Sequence, residues 1–234
     1  MELSAQLLQL ERVYQEIKWR IVYGRYAPGF VLSEGMLARV HRASRTPVRD
    51  ALSRLSEEGY VERVPRRGFQ VARITVAMIE QMFEVRQSLE VTAAGLAAER
   101  ADDAQVARIR ELADYPTLEA TAESYRQRLA ANDEFHVAVA AAAQNGLLVD
   151  LVRRSLTQHN RVLSLGSQHA VLPGSVPQHH SIADAIEARD PTAARAAMAA
   201  HLTDSYQLVM DQVASGRVRG LRARDAERLH PGPL

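Results

Sequence analysis

Apolar residues recur every three or four positions at Leu7, Leu10, Val13, Ile17 and Ile21, and the period stops at Gly24 and Pro28-Gly29. That spacing predicts an amphipathic helix of about five turns. Ser33 is placed to cap a short helix carrying Leu37 and Ala38. Ser44 is placed to cap a longer one with Val48, Ala51, Leu52 and Leu55 on one face and Gly59 beyond its end. Pro47 falls in the first turn, where its missing N–H costs nothing. Two β-prone runs follow at 60–64 and 69–71, divided by Pro65-Arg66-Arg67-Gly68, and read as a hairpin. Three helices and then a hairpin is the order of a winged helix-turn-helix.

From Thr75 onward only helical periods remain, so the fold class is mainly α: an N-terminal winged helix-turn-helix followed by an all-α helical bundle. Helices are expected near 75–100, 102–113, 117–144, 147–164, 176–189 and 191–215, broken at Tyr115-Pro116, Asn145-Gly146, Pro173-Gly174 and Asp190-Pro191. The alanine-rich stretches at 138–143 and 193–200 fit close helix packing. The expected domains are 8–73, 74–215 and a basic flexible tail at 216–234.

Composition narrows the chemistry. A chain of 234 residues with 47% hydrophobic and 24% charged residues can bury two modest cores. No apolar run approaches the roughly 20 residues that span a bilayer, and the N-terminus lacks the basic start and apolar stretch of a secretion signal, so a cytoplasmic location without membrane association is expected. With no cysteine, disulfides, thiolate catalysis and zinc fingers are excluded, and a metal would need histidine, carboxylate or amide ligands. Charge is uneven. Residues 1–73 carry 13 basic against 8 acidic side chains, whereas 74–215 carry 11 against 18. A basic module on an acidic body is the pattern of a polyanion binder.

The run Ser44-Arg45-Thr46-Pro47-Val48-Arg49-Asp50-Ala51-Leu52 puts two arginines and two hydroxyls at the start of a helix whose other face is apolar. A helix that enters the major groove needs this arrangement: arginine donates twice to guanine, and hydroxyls and free N–H groups hold phosphates. Arg45 and Arg49, one turn apart, point outward together.

In the helix expected at 75–100, Arg86 and Glu90 interrupt the stripe Ile79, Met82, Phe83, Leu89, Ala93, Leu96. A guanidinium on a buried stripe needs an acceptor. Two readings stay open: an internal Arg86–Glu90 pair, or an Arg86 that clamps the carboxylate of a small effector in a central cavity. Asn132 and His136 share a helical face, and His179 and His201 stand on two further helices. Three histidines with an amide oxygen can hold zinc, nickel or a similar divalent ion. His159, His169 and His230 show no partner pattern and are expected on the surface or in loops. Tyr125, Arg161 and Tyr206 are candidates to line a cavity.

The chain resembles the GntR family of bacterial transcription regulators, in its FadR-like branch. The resemblance lies in Gly24, Pro28-Gly29, Leu32-Ser33-Glu34, Leu37-Ala38, the Ser-Arg-Thr-Pro-Val-Arg-Asp-Ala-Leu run, Arg54-Leu55, Glu58-Gly59 and Arg67-Gly68-Phe69-Gln70-Val71. It implies that Ser44, Arg45, Thr46 and Arg49 contact DNA and that Arg67 and Gly68 form a wing reaching the minor groove or its phosphates. The chain departs from the family at His41-Arg42, where an apolar residue and glycine are usual and a surface loop is expected, and at Gly35, where arginine is common. Residues 78–210 resemble the FCD ligand-binding domain, through Val85-Arg86-Gln87-Ser88-Leu89-Glu90, Phe135-His136, Asn145, His179 before Ala185-Ile186, and His201-Leu202.

That second resemblance implies a metal held by Asn132, His136, His179 and His201, with Asn132 standing where the family has aspartate. Asp133 is turned about 100° away on the helix. The family resemblance also implies a homodimer on a palindromic DNA operator; the leading reading adds an organic-acid effector paired with Arg86, and because the sequence shows no general-base motif and carries a DNA-binding module, no enzyme activity is expected. Two alternatives remain: the ion itself as the signal, and a metal-dependent hydrolase, since a three-histidine site can activate water.

Overall fold

The computed structural model describes residues 2–114, 122–166, 175–218 and 220–221. These residues form two compact units. In the first, helix α1 (Glu2–Val22) is followed by strand β1 (Val31–Leu32), helix α2 (Glu34–Val40), helix α3 (Arg45–Glu57), and strands β2 (Val61–Val64) and β3 (Gly68–Val71). The apolar period of α1 buries Val13, Ile17 and Ile21 against Val48, Leu52 and Leu55 of α3, with Leu37, Val61, Phe69 and Val71 completing the core. The three strands are antiparallel in the order β1-β3-β2, and Val64 pairs with Gly68 across the wing turn. Gly68 has φ +89, the left-handed region that favours glycine, and it pairs at the point where the hairpin must reverse.

Three expectations are corrected in this unit. β1 carries no alternating signal in two residues, yet it adds an edge to the hairpin by pairing Leu32 with Phe69. Ser44 occupies the N-cap position of α3 but its side chain makes no capping bond, whereas Ser33 accepts from the Met36 N–H at 3.2 Å. His41 is not in a surface loop: it is 2% exposed, with Nδ1 2.5 Å from Glu16 Oε2, and its carbonyl accepts from Arg12 at 2.8 Å. Arg42 beside it is exposed, at φ 48.

The second unit spans Ala77–Arg217, and its described residues form helices joined by short turns. It contains all of α4 (Val76–Arg100) but its first residue, with α5 (Asp103–Ala113), α6 (Ala122–Ala142), α7 (Gly146–Leu165), α8 (Ser175–Glu187) and α9 (Pro191–Ala214). Residues 115–121 and 167–174, which include the breaks expected at Tyr115-Pro116 and Pro173-Gly174, lie outside the described residues. Asp102, Asn145 and Asp190 cap α5, α7 and α9 through their side chains. Small residues dominate the core: Ala94, Ala97, Ala98, Ala142 and Ala194 pack with Phe135, Ile182, Ile186, Met198 and Leu202. Alanine lets helix axes approach closely, and that brings polar side chains on neighbouring helices into contact inside the bundle.

Of the tail expected from 216, Val218 is buried, Gly220 lies against Pro28 and Leu221 forms an isolated parallel bridge with Ile74. These residues belong to the first unit. Residues 219 and 222–234 lie outside the described residues.

Candidate functional site

The start of α3 is a polar edge on an apolar helix. Val48, Ala51, Leu52 and Leu55 are buried, while Ser44, Arg45, Thr46 and Arg49 are exposed. Because Ser44 makes no capping bond, its hydroxyl is available to a ligand. Arg45 makes no ion pair among the described residues, and Arg49 is paired with Glu34 of α2. Arg67 and Gly68 are exposed at the wing turn, which the Arg67 N–H closes on the Val64 carbonyl at 3.1 Å. Cationic side chains at the mouth of a recognition helix and at a wing tip are the means by which such a module holds phosphates and reads base edges.

The second unit gathers its histidines. His136 of α6, His179 of α8 and His201 of α9 are all buried, with one ligand atom from each within 4.8 Å of the others. Phe135 stacks on the His179 ring at 3.9 Å. His180, one position on, faces elsewhere and pairs with Asp114 at 3.1 Å.

Two of the rings have an oxygen close to Nδ1. His136 Nδ1 lies 2.5 Å from Glu90 Oε2, a contact that only a protonated Nδ1 tolerates. His201 Nδ1 lies 3.0 Å from Gln178 Oε1 and is likewise the donor. The Nε2 atoms of the two rings then face one another at 3.2 Å. A proton on one Nε2 makes this contact a hydrogen bond between the rings, and a metal ion held by both would occupy the same place. A tetrahedral ion with metal–nitrogen bonds of about 2.0–2.1 Å sets its ligand nitrogens about 3.3 Å apart, so the spacing fits a metal. Glu90 and Gln178 stand where outer acceptors commonly stand behind histidines that hold a metal.

Burial, reinforced by the neighbouring His136, His201 and His180, holds His179 far below the usual imidazole range. Burial together with His136 and Arg86 lowers His201 to about 3. Both rings are therefore neutral at physiological pH, the form that ligates a metal.

Arg86 is fully buried, and the internal pair is present: Nε donates to Glu90 Oε1 at 2.6 Å. Burial opposes charge on Glu90, but Arg86 and His136 outweigh it and hold the carboxyl well below its ordinary range. Glu90 thus bridges the arginine and the histidine cluster, a link the sequence reading missed. Arg86 Nη1 is buried with no hydrogen-bond partner. Asn132 is 3% exposed, and its amide nitrogen is also unpartnered. Asp133 accepts from Asn160 of α7 at 2.6 Å and stands outside the histidine group.

His159 corrects the expectation of a surface role. It is 2% exposed, meets Phe83 edge-on and has Nδ1 unpartnered. Its position was legible: it follows Val152 and Leu156 on the buried stripe of α7. His169 and His230 lie outside the described residues. Of the other cavity candidates, Arg161 is buried, Tyr125 donates to the Leu163 carbonyl at 3.0 Å, and Tyr206 packs against Phe83.

Comparison with known proteins joins the two halves. Residues 9–71 match the bacterial regulatory proteins of the gntR family, and residues 81–204 match the FCD domain. The chain belongs to the gntR family, with an FCD domain. The HTH-type transcriptional regulator LutR of Bacillus subtilis is 32% identical, over 77% of this chain and 92% of its own length. The HTH-type transcriptional repressor RspR of Escherichia coli is 27% identical, over 85% of this chain and 88% of its own. A GntR transcriptional regulator from Rhodococcus sp. RHA1 superposes with a TM-score of 0.70 at 25% identity, covering 86% of this chain and 97% of that one. McbR/YncC of E. coli gives a TM-score of 0.69 at 21% identity, covering 87% and 98%, and shares the fold. This gntR protein is a DNA-binding transcriptional regulator, and its relatives are regulators rather than enzymes. No described helix is long and apolar enough to cross a membrane.

Proposed function

We propose that this regulator binds a palindromic operator as a homodimer in the cytoplasm, and that a small carboxylate effector at a divalent-metal site in the FCD domain controls its affinity. The opposed Nε2 atoms of His136 and His201, each with its Nδ1 committed to an outer acceptor, carry the metal part of this reading. His136, His179 and His201 hold zinc or nickel, with the Asn132 carbonyl oxygen as the fourth protein ligand. A bound ion would supply positive charge and, by expanding beyond four ligands, a position for a carboxylate oxygen.

The unpartnered Arg86 Nη1 supports the effector part. A buried guanidinium N–H without an acceptor is costly, and an incoming carboxylate satisfies it. Glu90 holds Arg86 and His136 together, so the carboxylate-binding group and the metal ligand move as one. In the DNA-binding unit, Arg45 and Arg49 read bases, Ser44 and Thr46 hold phosphates, and Arg67 and Gly68 place the wing. Two copies read half-sites about one helical turn apart. The effector acts by binding one arrangement of the dimer more tightly than the other.

The test is operator affinity under controlled loading. A duplex selected from a random library is titrated with protein stripped by chelator, with protein reloaded with Zn²⁺ or Ni²⁺, and with reloaded protein plus a panel of small carboxylates. The expected outcome is a change of about 5- to 150-fold that needs both the ion and one of the acids. A change produced by the ion alone would replace the reading with direct metal sensing. Identical affinity in every arm would overturn the reading.

A further inference from the structure

The exposed arginine of α3 is held from one side. Arg49 Nε donates to Glu34 Oε1 and Nη2 donates to Glu34 Oε2, each at 2.9 Å. A guanidinium presents five N–H donors in a fixed plane. The side-on pair with Glu34 uses one edge of the plane and leaves both Nη1 hydrogens and the second Nη2 hydrogen at the far end. Those end-on donors are the parallel pair that guanine O6 and N7 accept. We propose that Glu34 is a specificity-determining positioning residue: it presents the end-on donors of Arg49 to a base pair and keeps the arginine from binding phosphates indiscriminately. The proposal rests on Arg49 as a base-reading residue.

Both ends of the pair are anchored. Glu34 is the first residue of α2, behind the Ser33 cap, and Arg49 rises from the second turn of α3. Arg49 is 59% exposed and Glu34 27%, so water and salt compete for both groups and the pair adds little to stability. Its effect is orientation. An unrestrained arginine at a DNA surface is drawn to the nearest phosphates, which are read without regard to sequence. A carboxylate on its flank repels those phosphates while leaving the base edge accessible.

Arg45, one turn earlier, provides the contrast. It makes no ion pair among the described residues, and Gly35 beside Glu34 brings no side chain against it: a Cβ there would lie 3.9 Å from Arg45 Nη2. The two arginines are therefore prepared differently, Arg45 without an ion pair among the described residues and Arg49 directed by one. The Arg49 hydrogen bonds also lower the Glu34 carboxyl below its ordinary value, so the flank stays charged.

Glu34→Gln tests this in the full-length protein, since it preserves length and helix position while removing the charge and one accepting oxygen. Binding is measured by fluorescence anisotropy, at several salt concentrations, to the selected operator, to operators with each guanine of the half-site replaced, and to an unrelated duplex. The expected result is tighter binding to the unrelated duplex and no gain on the operator. Their ratio should fall about tenfold, the scale of one bidentate arginine–guanine contact. Discrimination should be lost at one guanine position, the same position that Arg49→Ala relaxes, and Glu34→Gln should have no further effect on discrimination in the Arg49→Ala background. Equal shifts on operator and unrelated DNA, or no shift on either, would overturn the role of Glu34. If Arg49→Ala keeps the full base preference, the underlying assignment of Arg49 fails instead.

Discussion

His136 and His201 owe their chemistry to what lies behind each ring. Glu90 and Gln178 lie against the two Nδ1 atoms and leave the two Nε2 atoms facing each other. If these acceptors orient metal ligands, Glu90→Gln weakens Zn²⁺ affinity by about 10- to 100-fold, measured by competition with a chromophoric chelator. In the DNA-binding unit, Arg49→Ala costs about 1–3 kcal/mol of specific DNA binding and relaxes base preference at one position, measured across an operator-variant series. The residues in both predictions were visible in the sequence to different degrees. Arg49 stood in a contiguous motif, and the three histidines followed a family spacing. The Glu90–His136 contact was not legible, because it joins α4 to α6 and only the packing of alanine faces sets which side chains meet. His159 was read as peripheral because histidine is polar, although the apolar period of α7 already placed it inside.

Helix α3 is the element on which the DNA-binding unit depends. Its apolar face packs on α1 and its polar start is exposed, so one short segment carries stability and, in the proposed function, recognition. The two serines that precede α2 and α3 separate these roles. Ser33 caps its helix, and Ser33→Ala should lower stability by about 1 kcal/mol in urea unfolding. Ser44 makes no such bond, so Ser44→Ala should change stability by less than about 0.5 kcal/mol and weaken DNA binding. The helices were legible because their periods and caps are local. Strand β1 was not, since a strand of two residues has no period and forms only because β3 offers an edge. The buried His41 was missed for a related reason: its acceptor, Glu16, lies on the α1 face that the sequence pattern assigns to solvent.

At the scale of the whole chain, a basic reading unit is joined to an acidic sensing unit, and the charge asymmetry seen in the sequence follows that division. Gly220 and Leu221 lie against Pro28 and Ile74, so the reading unit includes residues far apart in the sequence. Ile74 is 1% exposed, and a chain ending at Ser215 should therefore unfold its N-terminal unit at lower denaturant concentration than the full chain. The central claim concerns the sensing unit: that its histidines hold a metal ion.

The most direct test is the native mass spectrum of untagged protein purified without chelator, beside that of His136→Ala. The account predicts a dimer carrying about one divalent ion per chain in the parent, and a dimer without the ion in the variant. A parent whose mass equals that of the bare polypeptide after equilibration with Zn²⁺ or Ni²⁺ would contradict it.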